Sequence, residues 1–84
     1  MRLDWERIIA ATRQAHADAD APLCAYLYDL KALGRHAAHL REGLPKHCDF
    51  FYAIKANSDL PLLATLAPRV DGFEASSGGE IAWL

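Results

Sequence analysis

Apolar residues recur at helical intervals in the first half of the chain. In residues 4–17 an apolar side lies opposite a charged side, and Asp4 is available as the N-cap. A second helix is predicted after Asp29, where leucine and alanine recur at the spacing of a helix face, and Gly43 and Pro45 are expected to end it. The first 45 residues therefore contain two amphipathic helices.

Two shorter helices are predicted in the second half. Residues 57–59 have the composition of a turn and an N-cap, and residues 60–66 then carry leucines at helical spacing. A last helix is expected from residue 78, because Ser77 and Glu80 have the spacing of a capping box.

Short apolar runs between these helices predict β-strands at residues 23–28, 49–54 and 70–75. Alternation of strands and helices with short connections is typical of βαβ units, whose strands are parallel and whose crossovers are right-handed. The predicted fold class is α/β, specifically the opening units of a (β/α)8 barrel, since a closed barrel takes about 250 residues. The barrel would be incomplete in this chain.

Composition limits the classes of function. The 84 residues are 52% hydrophobic and 24% charged with a formal net charge of -2, which predicts a soluble globular protein and no nucleic-acid partner. No signal peptide or membrane span is recognisable, so we expect a cytoplasmic protein. The chain ends at Ala82-Trp83-Leu84 without a helix stop signal, and we expect it to be the N-terminal portion of a longer protein.

The candidate for chemistry is Lys55, which directly follows the apolar and aromatic run of residues 50–54. A lysine is rarely buried without a partner or a chemical role. Desolvation at the end of a buried strand favours the neutral amine, which is the form that attacks an aldehyde. The structural alternative is a lysine that ends a strand and extends its ammonium group into water.

Two motifs carry a resemblance to a known family. They are Tyr52-Ala53-Ile54-Lys55-Ala56-Asn57-Ser58 and Gly72-Phe73-Glu74-Ala75-Ser76-Ser77-Gly78-Gly79-Glu80, which follow a tyrosine-rich segment at residues 26–30. In this order they resemble the fold-type III pyridoxal-phosphate-dependent decarboxylases, the ornithine and diaminopimelate decarboxylase family. The resemblance covers residues 22–84.

The resemblance implies an enzyme with a pyridoxal-phosphate barrel and a β domain that works as a homodimer. Residues 1–29 would supply a helix and a strand associated with the β domain, and residues 30–84 the start of the barrel. Lys55 would be the Schiff-base lysine, and Ala53 would line the floor of the cofactor site. Glu74 stands where the family usually has aspartate, and Glu80 matches the family's glutamate near the lysine.

Both carboxylates also have structural interpretations. Glu80 can complete the capping box with Ser77, and Glu74 can be an ordinary charge at a strand end. In the functional interpretation, Glu74 lies close to Lys55 and pairs with its ammonium group before the cofactor binds.

The details of the sequence are most similar to the siderophore-biosynthetic branch, as in staphyloferrin B pathways. That branch decarboxylates a small amino-acid-like substrate, a citryl-linked 2,3-diaminopropionate. Diaminopimelate or ornithine decarboxylation, an amino-acid racemase on the same barrel, and a non-catalytic regulatory relative remain as alternatives. We expect the 84 residues alone to be inactive, because the phosphate loop and partner-subunit groups of the family are missing from them.

Other candidate sites have weaker support. His36 and His39 share a helix face but have no third ligand in that helix, so no metal is predicted. Cys24 and Cys48 are expected to be reduced and buried as small hydrophobic residues rather than paired. Gly78 and its neighbouring glycine lack the spacing of a nucleotide loop and are interpreted as turn residues.

Overall fold

The computed structural model describes all 84 residues, and its class is mixed α/β, as predicted. Two single turns of 3₁₀-helix, Ile54–Ala56 and Ala67–Arg69, follow the first strand and the third helix. The helices are α1 (Trp5–Asp18), α2 (Leu30–Gly43), α3 (Leu60–Leu66) and α4 (Gly78–Trp83), and the strands are β1 (Phe51–Ala53) and β2 (Gly72–Glu74). None of these helices has both the length and the apolar character needed to cross a membrane.

The two long helices begin at the predicted N-caps. The Asp4 side chain accepts a hydrogen bond from the backbone N–H of Arg7 at 3.2 Å. The Asp29 side chain accepts one from the N–H of Ala32 at 3.0 Å. Each carboxylate satisfies one of the N–H groups that a helix start leaves without a partner.

The sheet consists of β1 and β2, which are parallel and are connected through α3. Tyr52 pairs with Phe73 and Ala53 with Glu74. This confirms the predicted parallel arrangement, but both strands are shorter than expected. In particular, Ile54 lies in a 3₁₀ turn rather than in β1.

The strand predicted at residues 23–28 is wrong. These residues pair with no strand, since the sheet contains only β1 and β2, and all of them are exposed. The strand propensity of a segment reflects how well its side chains fit a half-buried pleated surface. A strand forms only where a partner strand supplies the ladder of backbone hydrogen bonds. No such partner lies beside this segment.

The core lies between one face of the sheet and helices α2 and α3. Only 7 of the 84 residues are buried, so this single layer contains nearly all the fully covered side chains. Helices α1 and α4 bury no residue. The core cluster consists of Ala37, Ile54, Leu62, Leu63 and Leu66, with Phe50, Tyr52 and Phe73 among the side chains packed against it.

The opposite face of the sheet is open. Side chains alternate along a strand, so Phe51 and Ala53 point away from the face that carries Tyr52. Phe51 is 56% exposed, and its ring lies over Gly72, where an added Cβ would come within 2.8 Å of the ring. Glycine at this position permits that close approach.

The cysteines differ from the prediction in their burial. Cys24 and Cys48 are free thiols, and both are exposed rather than buried. Cys24 lies in the unpaired segment and Cys48 precedes β1, so neither reaches the layer that α2 and α3 cover.

Candidate functional site

Lys55 lies in the 3₁₀ turn that follows β1, at the C-terminal edge of the sheet. The residue before it, Ile54, is only 1% exposed and belongs to the core. Lys55 itself is exposed. The turn thus places a buried anchor next to a lysine that faces solvent.

The expected burial of Lys55 is wrong for this chain, because helices cover only one face of the two-stranded sheet. Its side chain makes no hydrogen bond, and the two ion pairs of the structure are Arg7 with Asp29 and Arg41 with Asp71. The amine therefore has no protein partner here.

Glu74 is brought to the same edge of the sheet as the lysine turn. It pairs in register with Ala53, two residues before Lys55, and it is exposed. The predicted ion pair between Glu74 and Lys55 is not formed, since no lysine takes part in either ion pair. Ala53 is half-buried beside Glu74, and its methyl group lies on the open face of the sheet, which also carries the Phe51 ring.

Glu80 acts as a capping residue. Its backbone N–H donates to Ser77 Oγ at 3.2 Å, and its carboxylate accepts from the N–H of Ser76 at 2.9 Å. In a standard capping box the carboxylate binds the N-cap residue, so this cap is shifted by one residue. The structural interpretation of Glu80 is thus realised in the fold.

A set of hydrogen bonds that the sequence did not reveal holds residues 57–59, directly after the lysine turn. Tyr52 Oη donates to the carbonyl of Asn57 at 2.9 Å, and Trp83 Nε1 donates to the carbonyl of Ser58 at 2.6 Å. The Asn57 amide donates to Tyr28 Oη at 3.2 Å. The sequence contained one indication of these hydrogen bonds: tyrosine and tryptophan side chains usually find a partner for their polar O–H or N–H group when they are buried.

Two properties of Tyr52 fit this role. Its ring meets Phe73 edge-to-face, with ring centroids 6.2 Å apart. Burial raises the pKa of the Tyr52 phenol above its ordinary value, against the opposing effect of the hydrogen bond to Asn57. The hydroxyl therefore stays protonated, and able to donate, throughout the neutral range.

The other edge of the sheet is held by Asp71. The Phe50 N–H donates to Asp71 Oδ2 at 2.7 Å, the Asp71 N–H donates to the Phe50 carbonyl at 2.7 Å, and Arg41 pairs with the same carboxylate at 3.0 Å. The bond from Phe50, followed by Arg41, lowers the pKa of the Asp71 carboxyl. These contacts fix the start of both strands, away from Lys55.

Asp29 joins the N-terminal segment to α2. It accepts from the N–H of Asp4 at 2.9 Å as well as from that of Ala32, and Arg7 lies 3.5 Å from it. The two backbone hydrogen bonds, with Arg7 nearby, lower the pKa of the Asp29 carboxyl. Asp29 therefore orients α1 relative to α2 in addition to capping α2.

No group of three or more histidine, cysteine or acidic side chains is arranged to hold a metal ion. His36 is half-buried and His39 is exposed on α2, beside Arg35. Their surroundings are cationic rather than acidic.

Comparison with known proteins confirms the resemblance to a decarboxylase that the two motifs predicted. The chain is 48% identical over 61 residues to 2-[(L-alanin-3-ylcarbamoyl)methyl]-2-hydroxybutanedioate decarboxylase of Staphylococcus aureus. The match covers 73% of this chain and 15% of that protein, so the chain spans about 15% of the length of this relative. No known protein-family profile matches the chain.

The match includes the lysine turn. Any continuous stretch of 61 residues in a chain of 84 contains residues 24–61, and therefore both Ala53 and Lys55. The relative's name describes a citryl amide of 2,3-diaminopropionate as the compound it decarboxylates. This agrees with the branch of decarboxylases to which the sequence pointed.

Proposed function

We propose that this chain is part of a pyridoxal-phosphate-dependent amino-acid decarboxylase in which Lys55 binds the cofactor. The observation that carries the proposal is the position of Lys55 in a segment matched to a decarboxylase: it is exposed, without an ion pair, at the C-terminal edge of a parallel sheet. That edge forms the active face in barrels of this type.

The residues of the open face fit the aldehyde end of the cofactor. A lysine amine without a protein partner is the group that pyridoxal phosphate requires, and Ala53, two residues before it, has a small side chain on the open face of the sheet. Glu74 would supply a carboxylate at the C-terminal edge of the sheet. Glu80 would reach the site only if its hydrogen bond to the N–H of Ser76 were broken. When bound, the cofactor supplies an electron sink that accepts the electron pair of the bond between the α-carbon and the departing carboxylate.

The contribution of this chain would be binding and proton transfer at Lys55. Its Nζ would be the atom that holds the cofactor. When not bound to the cofactor, the same amine would be available to hold or donate a proton at Nζ. Glu74, at the same edge, would favour the protonated form of that amine if the two approach in the complete site.

The proposed substrate is a citryl-linked 2,3-diaminopropionate, with diaminopimelate or ornithine as the alternative. The name of the Staphylococcus aureus relative supports the first choice, because it describes a citryl amide of that amino acid. The loss of the amino-acid carboxylate would leave a diaminoethane amide.

We further propose that β1, α3 and β2 are opening units of a (β/α)8 barrel, that residues 1–29 associate with a β domain, and that the enzyme is a homodimer. The support is the parallel pairing of β1 with β2 through a helical crossover, together with a sheet face that remains open. Parallel sheets are normally covered on both faces.

The test is covalent trapping of the cofactor in the full-length protein. Pyridoxal phosphate is added, borohydride fixes it to the amine that holds it, and peptide mass spectrometry locates the adduct. We expect it on Lys55, with Lys55→Ala abolishing both the adduct and release of carbon dioxide, and with Lys46→Arg as the matched control. An adduct on another lysine, or turnover by Lys55→Ala, would contradict the assignment.

A further inference from the structure

The segment after Lys55 is held by one side chain that lies five residues before Asn57 and by another that lies 25 residues after Ser58. Tyr52 belongs to β1 and Trp83 to α4, and their polar atoms meet the backbone of residues 57–59. Within that segment, Asn57 Oδ1 accepts from the N–H of Asp59 at 3.0 Å. The chain is thus fixed immediately beyond the lysine turn.

Each of the two carbonyls has a single donor. The Asn57 carbonyl accepts only from Tyr52, and the Ser58 carbonyl accepts only from Trp83. Because residues 57–59 lie outside any helix or strand, no ladder of backbone bonds compensates for the loss of either donor. These two side chains therefore fix the carbonyls of Asn57 and Ser58, while the Asn57 side chain and the first turn of α3 hold the rest of the segment.

Lys55 depends on the segment in turn. Its own side chain makes no hydrogen bond or ion pair, so its position follows from the backbone on each side. Burial of Ile54 anchors the preceding side, and residues 57–59 anchor the following side. An imine-forming amine must be held within a narrow range of positions, since a small displacement from productive geometry slows a reaction strongly.

We propose that Tyr52 and Trp83 are positioning residues for Lys55, which act by holding residues 57–59 in one conformation. The inference rests on the proposed function, because it concerns the approach of the lysine amine to pyridoxal phosphate. Trp83 would also connect α4 to the lysine turn, so that the Ser77 cap and the cofactor lysine belong to one structural unit.

The test uses Tyr52→Phe and Trp83→Phe in the full-length protein, which remove the donors and keep aromatic rings. Matched controls are Tyr26→Phe and Trp5→Phe, whose side chains are exposed and make no hydrogen bond. The first readout is the rate of pyridoxal-phosphate attachment to Lys55, measured by borohydride trapping at successive times. The second is amide hydrogen exchange in residues 54–59, measured without cofactor, with α2 as internal reference.

We expect each of the two variants to slow attachment and to speed exchange in residues 54–59 by about two- to tenfold, the usual effect of one hydrogen bond. Exchange in α2 and the behaviour of both controls should not change. In the double variant, the fold-change in attachment rate and in exchange rate should be smaller than the product of the two single fold-changes, because both donors act on the same segment.

Unchanged attachment in both variants, with normal attachment in the wild-type protein, would overturn the inference alone. Faster exchange in α2 to the same extent as in residues 54–59 would also overturn it, since the effect would then be on the fold. Failure of the wild-type protein to attach the cofactor at Lys55 would overturn the proposed function and this inference together.

Discussion

Replacement of Ile54 by alanine should destabilise the protein more than any change on its surface. Ile54 is 1% exposed and packs against Leu62, Leu63 and Leu66 of α3. The substitution removes three buried carbon atoms, which corresponds to about 2.4 kcal/mol of transfer free energy. The cavity left behind raises the expected loss to about 2–5 kcal/mol in the free energy of unfolding.

The assay is urea unfolding followed by circular dichroism. Because the total stability of a domain is only about 5–15 kcal/mol, Ile54→Val is measured alongside, with an expected loss of about 0.5–1.5 kcal/mol. The matched control is Ile81→Ala, since Ile81 is 65% exposed. It should change the free energy of unfolding by about 0.5 kcal/mol or less. A loss below about 1 kcal/mol for Ile54→Ala would refute the assignment of Ile54 to the core.

Two further predictions concern Asp71 and the cap of α4. The folded-state pKa of Asp71 is lowered, so its stabilising effect is present above the ordinary aspartate pKa of 3.8 and is lost as the pH falls through the lower folded-state value. Asp71→Asn should therefore flatten the decrease in melting temperature below that pH, whereas the control Asp20→Asn should retain the decrease. If the melting temperature of Asp71→Asn falls at low pH as steeply as that of the wild-type protein, the role of this carboxylate is contradicted. Ser77→Ala should destabilise α4 by about 1 kcal/mol and speed amide exchange in that helix about fivefold, with Ser76→Ala as the control. Equal exchange in the two serine variants would show that the Ser77 hydroxyl does not cap the helix.

The elements whose signals are local were predicted well. Asp4 and Asp29 cap the first two helices because a side-chain oxygen next to a helix start meets free N–H groups within the same few residues. The parallel βαβ order was also readable, since short apolar runs alternate with helical periodicity. The motif around Lys55 predicted a resemblance to decarboxylases, and that motif lies within the stretch matched to one; the role of Lys55 itself stays a prediction.

The errors concern features that depend on distant neighbours. Residues 23–28 have the composition of a strand, but a strand needs a partner and none lies beside them. Cys24 and Cys48 were expected inside, yet burial depends on which face the helices cover. The hydrogen bond from Trp83 to Ser58 joins residues 25 positions apart. The bond from Tyr52 to Asn57 spans only five positions but depends on the 3₁₀ turn between them, so no spacing pattern encodes either bond.

For this protein, the sequence by itself determined the helix starts and the parallel order of β1 and β2, and it singled out Lys55 as the candidate lysine, because each depends on residue type and short spacing. Only the tertiary structure decided that Ile54 is buried while Lys55 faces solvent, that Glu74 stays unpaired, and that Trp83 meets the segment beyond the lysine. These features depend on which surfaces the folded chain brings together, and the packing of α2 and α3 on one face of the sheet decides that.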